Sequence, residues 1–357
     1  MLRGLARAIG IAVIAIVIAI AIGCGGGGGA GGASGPSGPP RESLGPADMP
    51  AMRALLEQYS PSGHAVVTAY EALPDEYELV EGPRSMTTSA AFDSYFRDGN
   101  VENVVRYMST GVHEVTHGYT GKMGWRLLAD RKQPYGLGAE AILGDGEPWL
   151  VPYTKTYPAL EMIASYPADA RGLRFPVYID TPDEPNLATQ SRGAYGMLDE
   201  FAAYYQNAKT VMDFWPWVRD VAQGDEWLII NYAVELDDIM MGPHAEFRFY
   251  ILHYLRFAKE HHPDVYAAVM SNTDFKRAFA EIDGAYTALL VRAHELEPIV
   301  HEVARSRGTA LARRDGMLWI GSSAQRPEHA AAHRATLAHL EEPAYQELLR
   351  ELGRARS

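Results

Sequence analysis

One stretch limits what this chain can fold into more than any other: NVENVVRYMSTGVHEVTHGYT, residues 100–120. Val105, Met108, Val112, Val115 and Tyr119 recur at helical spacing, which predicts a helix with one buried stripe. Asn100 is a suitable N-cap. The same helix carries His113 and His117 four residues apart, so both project from one face, one turn from each other. Two imidazoles placed this way can reach one tetrahedral metal ion at about 2.0–2.1 Å. Glu114 lies roughly 100° further round the helix. It would stand beside the open coordination position as a base for a water molecule, and would not itself be a ligand. Such a site needs a third protein ligand, so another element must pack on this helix. With 12 histidines in 357 residues, a chance match to this spacing has odds on the order of a few per cent. Two structural histidines on a buried helix are the plain alternative.

The third ligand must be sought further along the chain. A histidine six residues after His117 would fall at Met123, so that spacing is not met. The other common choice is a carboxylate on a second helix, and GMLDEFAAYYQNAKTVMDFW (196–215) reads as one. Leu198, Phe201, Tyr205, Ala208, Met212 and Trp215 form its apolar stripe. Glu200 falls at the margin of that stripe, whereas Asp199 is expected nearer to solvent. Glu200 is therefore the better candidate. Ala202 and Ala203 are small enough for close helix approach, and Tyr204 is placed to hydrogen-bond a ligand from behind. Glu235, Asp237, Asp238, His244 and Glu246 are rival donors. His329 and His333 repeat the four-residue spacing without a glutamate between them. His261 and His262 end a helix before Pro263, where polar groups suit the helix dipole.

The N-terminus speaks to compartment. Arg3 and Arg7 precede an apolar run that ends in Ala21-Ile22-Gly23-Cys24, and Cys24 is the only cysteine. A basic region, an apolar core and small residues before the cut make a secretory signal. The tetrapeptide resembles the bacterial lipobox, with Ala21 where leucine is commoner. The resemblance implies cleavage after residue 23 and lipidation of Cys24. The alternative is a retained signal anchor, for which the run is near the lower length limit. Residues 24–47 are rich in Gly, Ser and Pro and read as a flexible tether. Gly25 after the cysteine favours sorting to the outer membrane of the cell envelope. A net charge of −13 with no basic cluster argues against a nucleic-acid partner. With one cysteine no intrachain disulfide is available.

From residue 48 to residue 357 the sequence, with 47% hydrophobic residues overall, reads as one domain without repeats. HAVVTAYEAL (64–73) and YELVE (77–81) have strand character. Residues 121–190 break the helical pattern with Gly, Pro and aromatic residues and suggest an insertion of short strands and loops. Residues 216–357 suggest a helical lobe, with helix over most of 226–305, a late strand at 315–323 and helices from Pro327 onward. Pro216 is expected to stop the helix before it, and Pro243 to begin one. The Phe-Trp-Pro-Trp run at 214–217 suits packing in the core. The fold class is α+β, dominated by helix.

His113-Glu114-Val115-Thr116-His117, followed on a second helix by Asp199-Glu200-Phe201-Ala202-Ala203-Tyr204, resembles the gluzincin group of zinc metallopeptidases. The glutamate segment is somewhat similar to the lethal-factor-like branch. The resemblance covers residues 100–120 and 195–207 alone, and the thermolysin-like Asn-Glu-x-x-x-Asp pattern is not met. It implies a zincin-like domain with zinc on His113, His117 and Glu200, Glu114 as general base, and a peptide or protein substrate. An oxyanion donor is also required. Tyr195, just upstream of the glutamate, is the choice here, with Tyr204, Tyr119 and His301 as alternatives. Two other readings stay open: a non-catalytic surface lipoprotein with a structural or relic metal site, and a metal-dependent hydrolase of a non-peptide substrate.

Overall fold

The computed structural model describes residues 49–86, 91–96, 101–221 and 226–353. The leader, Cys24, the tether and Asn100 lie outside these residues. Among the described residues no helix is long and apolar enough to cross a membrane.

The described residues begin with two helices, α1 (Met49–Tyr59) and α2 (Pro61–Ala72). The strand expected at 64–73 is therefore a helix. Pro61 opens it, and Gly63, Val66, Val67 and Tyr70 are buried at a helical period against α3 (Val104–Arg131). Tertiary burial of that stripe overrides the β-preference of its valines. The strand at 77–81 is present as β1 (Glu76–Leu79), antiparallel to β2 (Gly82–Ser85).

Helix α3 has 28 residues and runs on through Gly121 and Gly124, past the expected break at 121, to a left-handed Lys132. Its last turns are enclosed by a small second core of Tyr77, Leu79, Met86, Trp125, Leu128, Ala139 and Leu150. That burial offsets the low helix propensity of the two glycines. After α3 come a hairpin of β3 (Ala139–Ile142) and β4 (Trp149–Pro152), then 3-10 turns and two single-turn helices, α4 (Phe175–Tyr178) and α5 (Ala188–Ser191).

The remainder is helical: α6 (Ala194–Asp213), α7 (Trp215–Val221), α8 (Glu226–Met241), α9 (Pro243–His261), α10 (Pro263–Ser271) and α11 (Thr273–Ser306). A three-stranded antiparallel sheet of β5 (Leu311–Arg314), β6 (Met317–Ile320) and β7 (Ser323–Ala324) follows, then α12 (Pro327–Leu340) and α13 (Pro343–Gly353). The protein is mostly helical with small antiparallel sheets. Pro216 stands in the first turn of α7, and α6 has already ended at Asp213. Phe214, Trp215 and Trp217 are core residues, and one continuous core runs from Met52 to Leu352.

Helix α6 is the centre of the packing. It lies along α3 and also touches α9, α11 and β3. Its entry is tight. Gly193 has φ of +54°, a left-handed conformation that favours glycine. A Cβ on Gly196 would collide with the carbonyl of Ala188 in α5. Gly196→Ala is therefore expected to cost about 1–3 kcal/mol, the range for overpacking a filled interior. Urea unfolding checks this, and an unchanged midpoint would show that α5 can yield.

Candidate metal centre

Helices α3 and α6 bring three ligand-type side chains together. Nε2 of His113 and Nε2 of His117 are 3.2 Å apart. Oε2 of Glu200 lies 3.4 Å from the His117 nitrogen and 3.7 Å from the His113 nitrogen. These are the only three residues among those described whose donor atoms converge in a way that could hold a metal ion. His113 and Glu200 are buried, and the His117 side chain keeps 23% exposure. Oε2 of Glu200 is buried and has no hydrogen-bond partner. An unpartnered buried carboxylate oxygen is costly, and a cation between it and the two imidazoles would remove that cost. The donor set therefore fits a metal cation.

The structure corrects the placement of Asp199, which is 2% exposed. Helix α6 has almost no solvent face, since nearly every residue from Ala194 to Met212 is buried. Asp199 faces α3, and its Oδ2 lies 3.0 Å from His117 Nδ1. Thr120 donates to its other oxygen at 2.7 Å, and Arg192 donates to Oδ2 at 3.1 Å. A carboxylate on the far nitrogen of a ligating histidine fixes ring orientation and leaves the near nitrogen free for metal. Arg192 also donates to Glu140 Oε2 and to the Tyr153 hydroxyl, each at 2.8 Å. Tyr153 in turn donates to Glu140 at 2.9 Å. Sequence reasoning missed Arg192, Glu140 and Tyr153. The available signal was the opposite charge of Arg192 and Asp199, seven residues apart.

Tyr204 packs against His113 ring to ring, with centroids 4.5 Å apart and an edge-on angle of 70°, in place of the hydrogen bond to a ligand expected of it. Its hydroxyl meets that of Tyr178 at 3.1 Å. The Arg174 guanidinium sits 4.7 Å from its ring centroid, a cation–π contact. Tyr195 is fully buried, and its hydroxyl is taken up by Thr154 and Asn272. His301 lies beside Glu297, and Tyr119 is buried on α3.

The rival donors have other partners. Asp238 bridges Arg174 and Arg326 at 2.7 Å each, and Glu246 holds Arg174 at 2.9 Å. Asp237 pairs with Arg313, His244 with Asp283, and Glu235 stands 3.9 Å from Arg106. His329 and His333 line a cleft beside Asp237 and Asp238, but no third donor converges on them among the described residues.

Protonation follows from this burial. Burial lowers His113 well below the ordinary histidine value, and His117 beside it adds to the fall. Burial also pulls on His117, but Glu200 and Asp199 outweigh it and hold it well above that value. Burial pushes Asp199 up, yet His117 and Arg192 hold it down at about 2. Burial raises Glu114, with His117 opposing and Glu200 adding to the rise.

Burial pushes Glu140 up to about 8 against the pull of Arg192. Its folded value lies above the unfolded 4.5, so the folded protein holds this proton more tightly. The resulting stability is complete below about pH 4.5 and is lost as pH rises through about 8. Glu140→Gln is expected to reduce the fall in urea midpoint between about pH 5 and 8, measured with a chelator present. A slope equal to that of the parent chain would exclude Glu140 as its source.

Comparison with known proteins returned no matching family model, no matching curated protein and no matching solved structure. The centre is thus defined by its own geometry: a buried His-His-Glu triad on two packed helices of a mostly helical fold.

Proposed function

We propose that the protein is a zinc-dependent metallopeptidase, with zinc on His113, His117 and Glu200 and Glu114 as general base. One observation carries the reading: the three donor atoms stand 3.2, 3.4 and 3.7 Å apart. Three corners of a tetrahedron with donors about 2.0–2.1 Å from its centre are about 3.3 Å apart. An octahedral face at similar bond lengths would bring them to about 2.9 Å. At these bond lengths the spacing matches the tetrahedral arrangement better, and two imidazoles with one carboxylate are the donor set of a zinc-type ion rather than of an all-oxygen site.

When bound, zinc supplies a Lewis acid that polarises a carbonyl and makes water nucleophilic at neutral pH. The chain's own groups do the rest. Glu114 takes the proton of the attacking water on its carboxylate and returns it to the leaving amine nitrogen. Its raised pKa brings it closer to a working pH near neutrality, where a general base is most effective. Asp199 holds the proton of His117 on Nδ1 and keeps Nε2 turned to Glu200. Tyr204 blocks the far side of the His113 ring. The basic-apolar leader and lone Cys24 support a lipid-anchored position in the cell envelope.

The test is metal analysis of freshly purified protein lacking residues 1–23, together with digestion of a mixed peptide library. One zinc per chain with peptide cleavage supports the reading, and protein free of any transition metal counts against it. The burial of His113 and Glu200 favours a second reading, metal binding without catalysis. Zinc bound with no cleavage, by a chain whose His117→Ala variant loses the metal, would select it.

A further inference from the structure

We propose that Arg192 is a positioning residue of the metal centre, bridging Asp199 to Glu140 so that His117 is held in its ligating orientation. The inference rests on the metal reading of the His113, His117 and Glu200 triad. Its geometry stands apart from any ion. Arg192 divides its fork between two acids on different elements, one terminal nitrogen on Glu140 of β3 and the other on Asp199 of α6. Glu140 is 0% exposed and the Asp199 side chain 2%, while the Arg192 side chain keeps 28%. Two buried carboxyl groups on different elements thus share one guanidinium.

The bridge has a direct consequence for His117. Asp199 Oδ2 accepts from both Arg192 and His117 Nδ1. Its other oxygen is taken by Thr120, one helical turn beyond His117. Without the guanidinium, Asp199 would lose one of its three donors and its tie to Glu140 on β3, and would be freer to shift from its place. His117 Nδ1 would then lose its acceptor, and the ring would be free to turn about its χ2 bond. Arginine suits this place because its planar fork can serve two acceptors at once, whereas a lysine ammonium is a single point of charge. The left-handed Gly193 and the Tyr153 ring, 5.9 Å from the guanidinium, set the direction from which Arg192 enters.

The experiment uses Arg192→Met and Arg192→Lys in the full chain beside the parent, with His117→Ala as the site control. Cobalt and zinc affinities are measured by chelator competition, and the visible spectrum of the cobalt form reports coordination geometry. Thermal midpoints are recorded without metal. Loss of a partner behind a ligating histidine typically costs 10–100-fold in affinity. Arg192→Met is expected to weaken metal binding by about that factor and to alter the cobalt spectrum, with Arg192→Lys recovering part of the loss. Should the methionine variant fail to fold, the lysine variant alone decides, through a loss smaller than that range but above twofold. A lower thermal midpoint with affinity and spectrum unchanged would overturn the inference and leave Arg192 a purely structural residue. If the parent chain binds neither metal, or binds it as well as His117→Ala does, the triad reading itself falls.

Discussion

Replacing Glu114 by Gln is expected to lower peptide hydrolysis by about 10²–10⁴-fold, the usual contribution of a general base, with zinc still bound. Glutamine keeps the shape of the side chain and removes only its capacity to take a proton. Glu114 is outside the converging donor set, so the metal has no reason to leave. Glu114 is not among the buried residues of α3, so a substitution of the same shape leaves the packing of that helix in place. Initial rates on the cleaved peptide and metal content of the same sample check this together. Activity within a few-fold of the parent would remove Glu114 from the mechanism. Loss of both zinc and activity would make it part of the binding site.

Glu200→Gln is expected to weaken zinc binding by more than about 100-fold, beyond the range for residues that merely support a ligand. The change removes the anionic donor from a site whose other two members are neutral when they bind metal. In the parent chain, zinc at 1,000 times its dissociation constant stabilises the fold by about 4 kcal/mol, because it binds the folded state. That increment should fall to about 1.4 kcal/mol or less in Glu200→Gln at the same zinc concentration, since zinc is then at most about 10 times the weakened dissociation constant. Thermal unfolding with zinc and with chelator measures it. An equal zinc-induced shift in both proteins would move the third ligand to another residue.

Much of the helical order was legible. The stripe of Val105, Met108, Val112 and Val115 has a strong 3.6-residue period, and α3 buries all four. Glu200 was readable as the third donor because it lies at the edge of an equally clear stripe on α6. The failures share one cause. Val66 and Val67 look like strand residues until they are seen against α3. Gly121 and Gly124 look like helix breakers until the core around Trp125 is seen to enclose them. Asp199 looks solvated until α6 proves to be covered on every side. In each case a local propensity worth at most about 1 kcal/mol was outweighed by burial against an element distant in sequence.

The sequence by itself determined that His113 and His117 share one face of a helix with Glu114 beside them. Helical periodicity is a local property, set by residues within two turns. It also determined the class, mostly helical with small sheets, through the same periodicity summed along the chain. Only the tertiary structure decided that Glu200 meets both imidazoles and that Asp199 stands behind His117. It also placed Arg192 and Glu140 behind Asp199. Apart from Arg192 and Asp199, seven residues from each other, those contacts join residues 52 to 87 positions apart, across helices and a strand whose approach is set by the packing of the whole core.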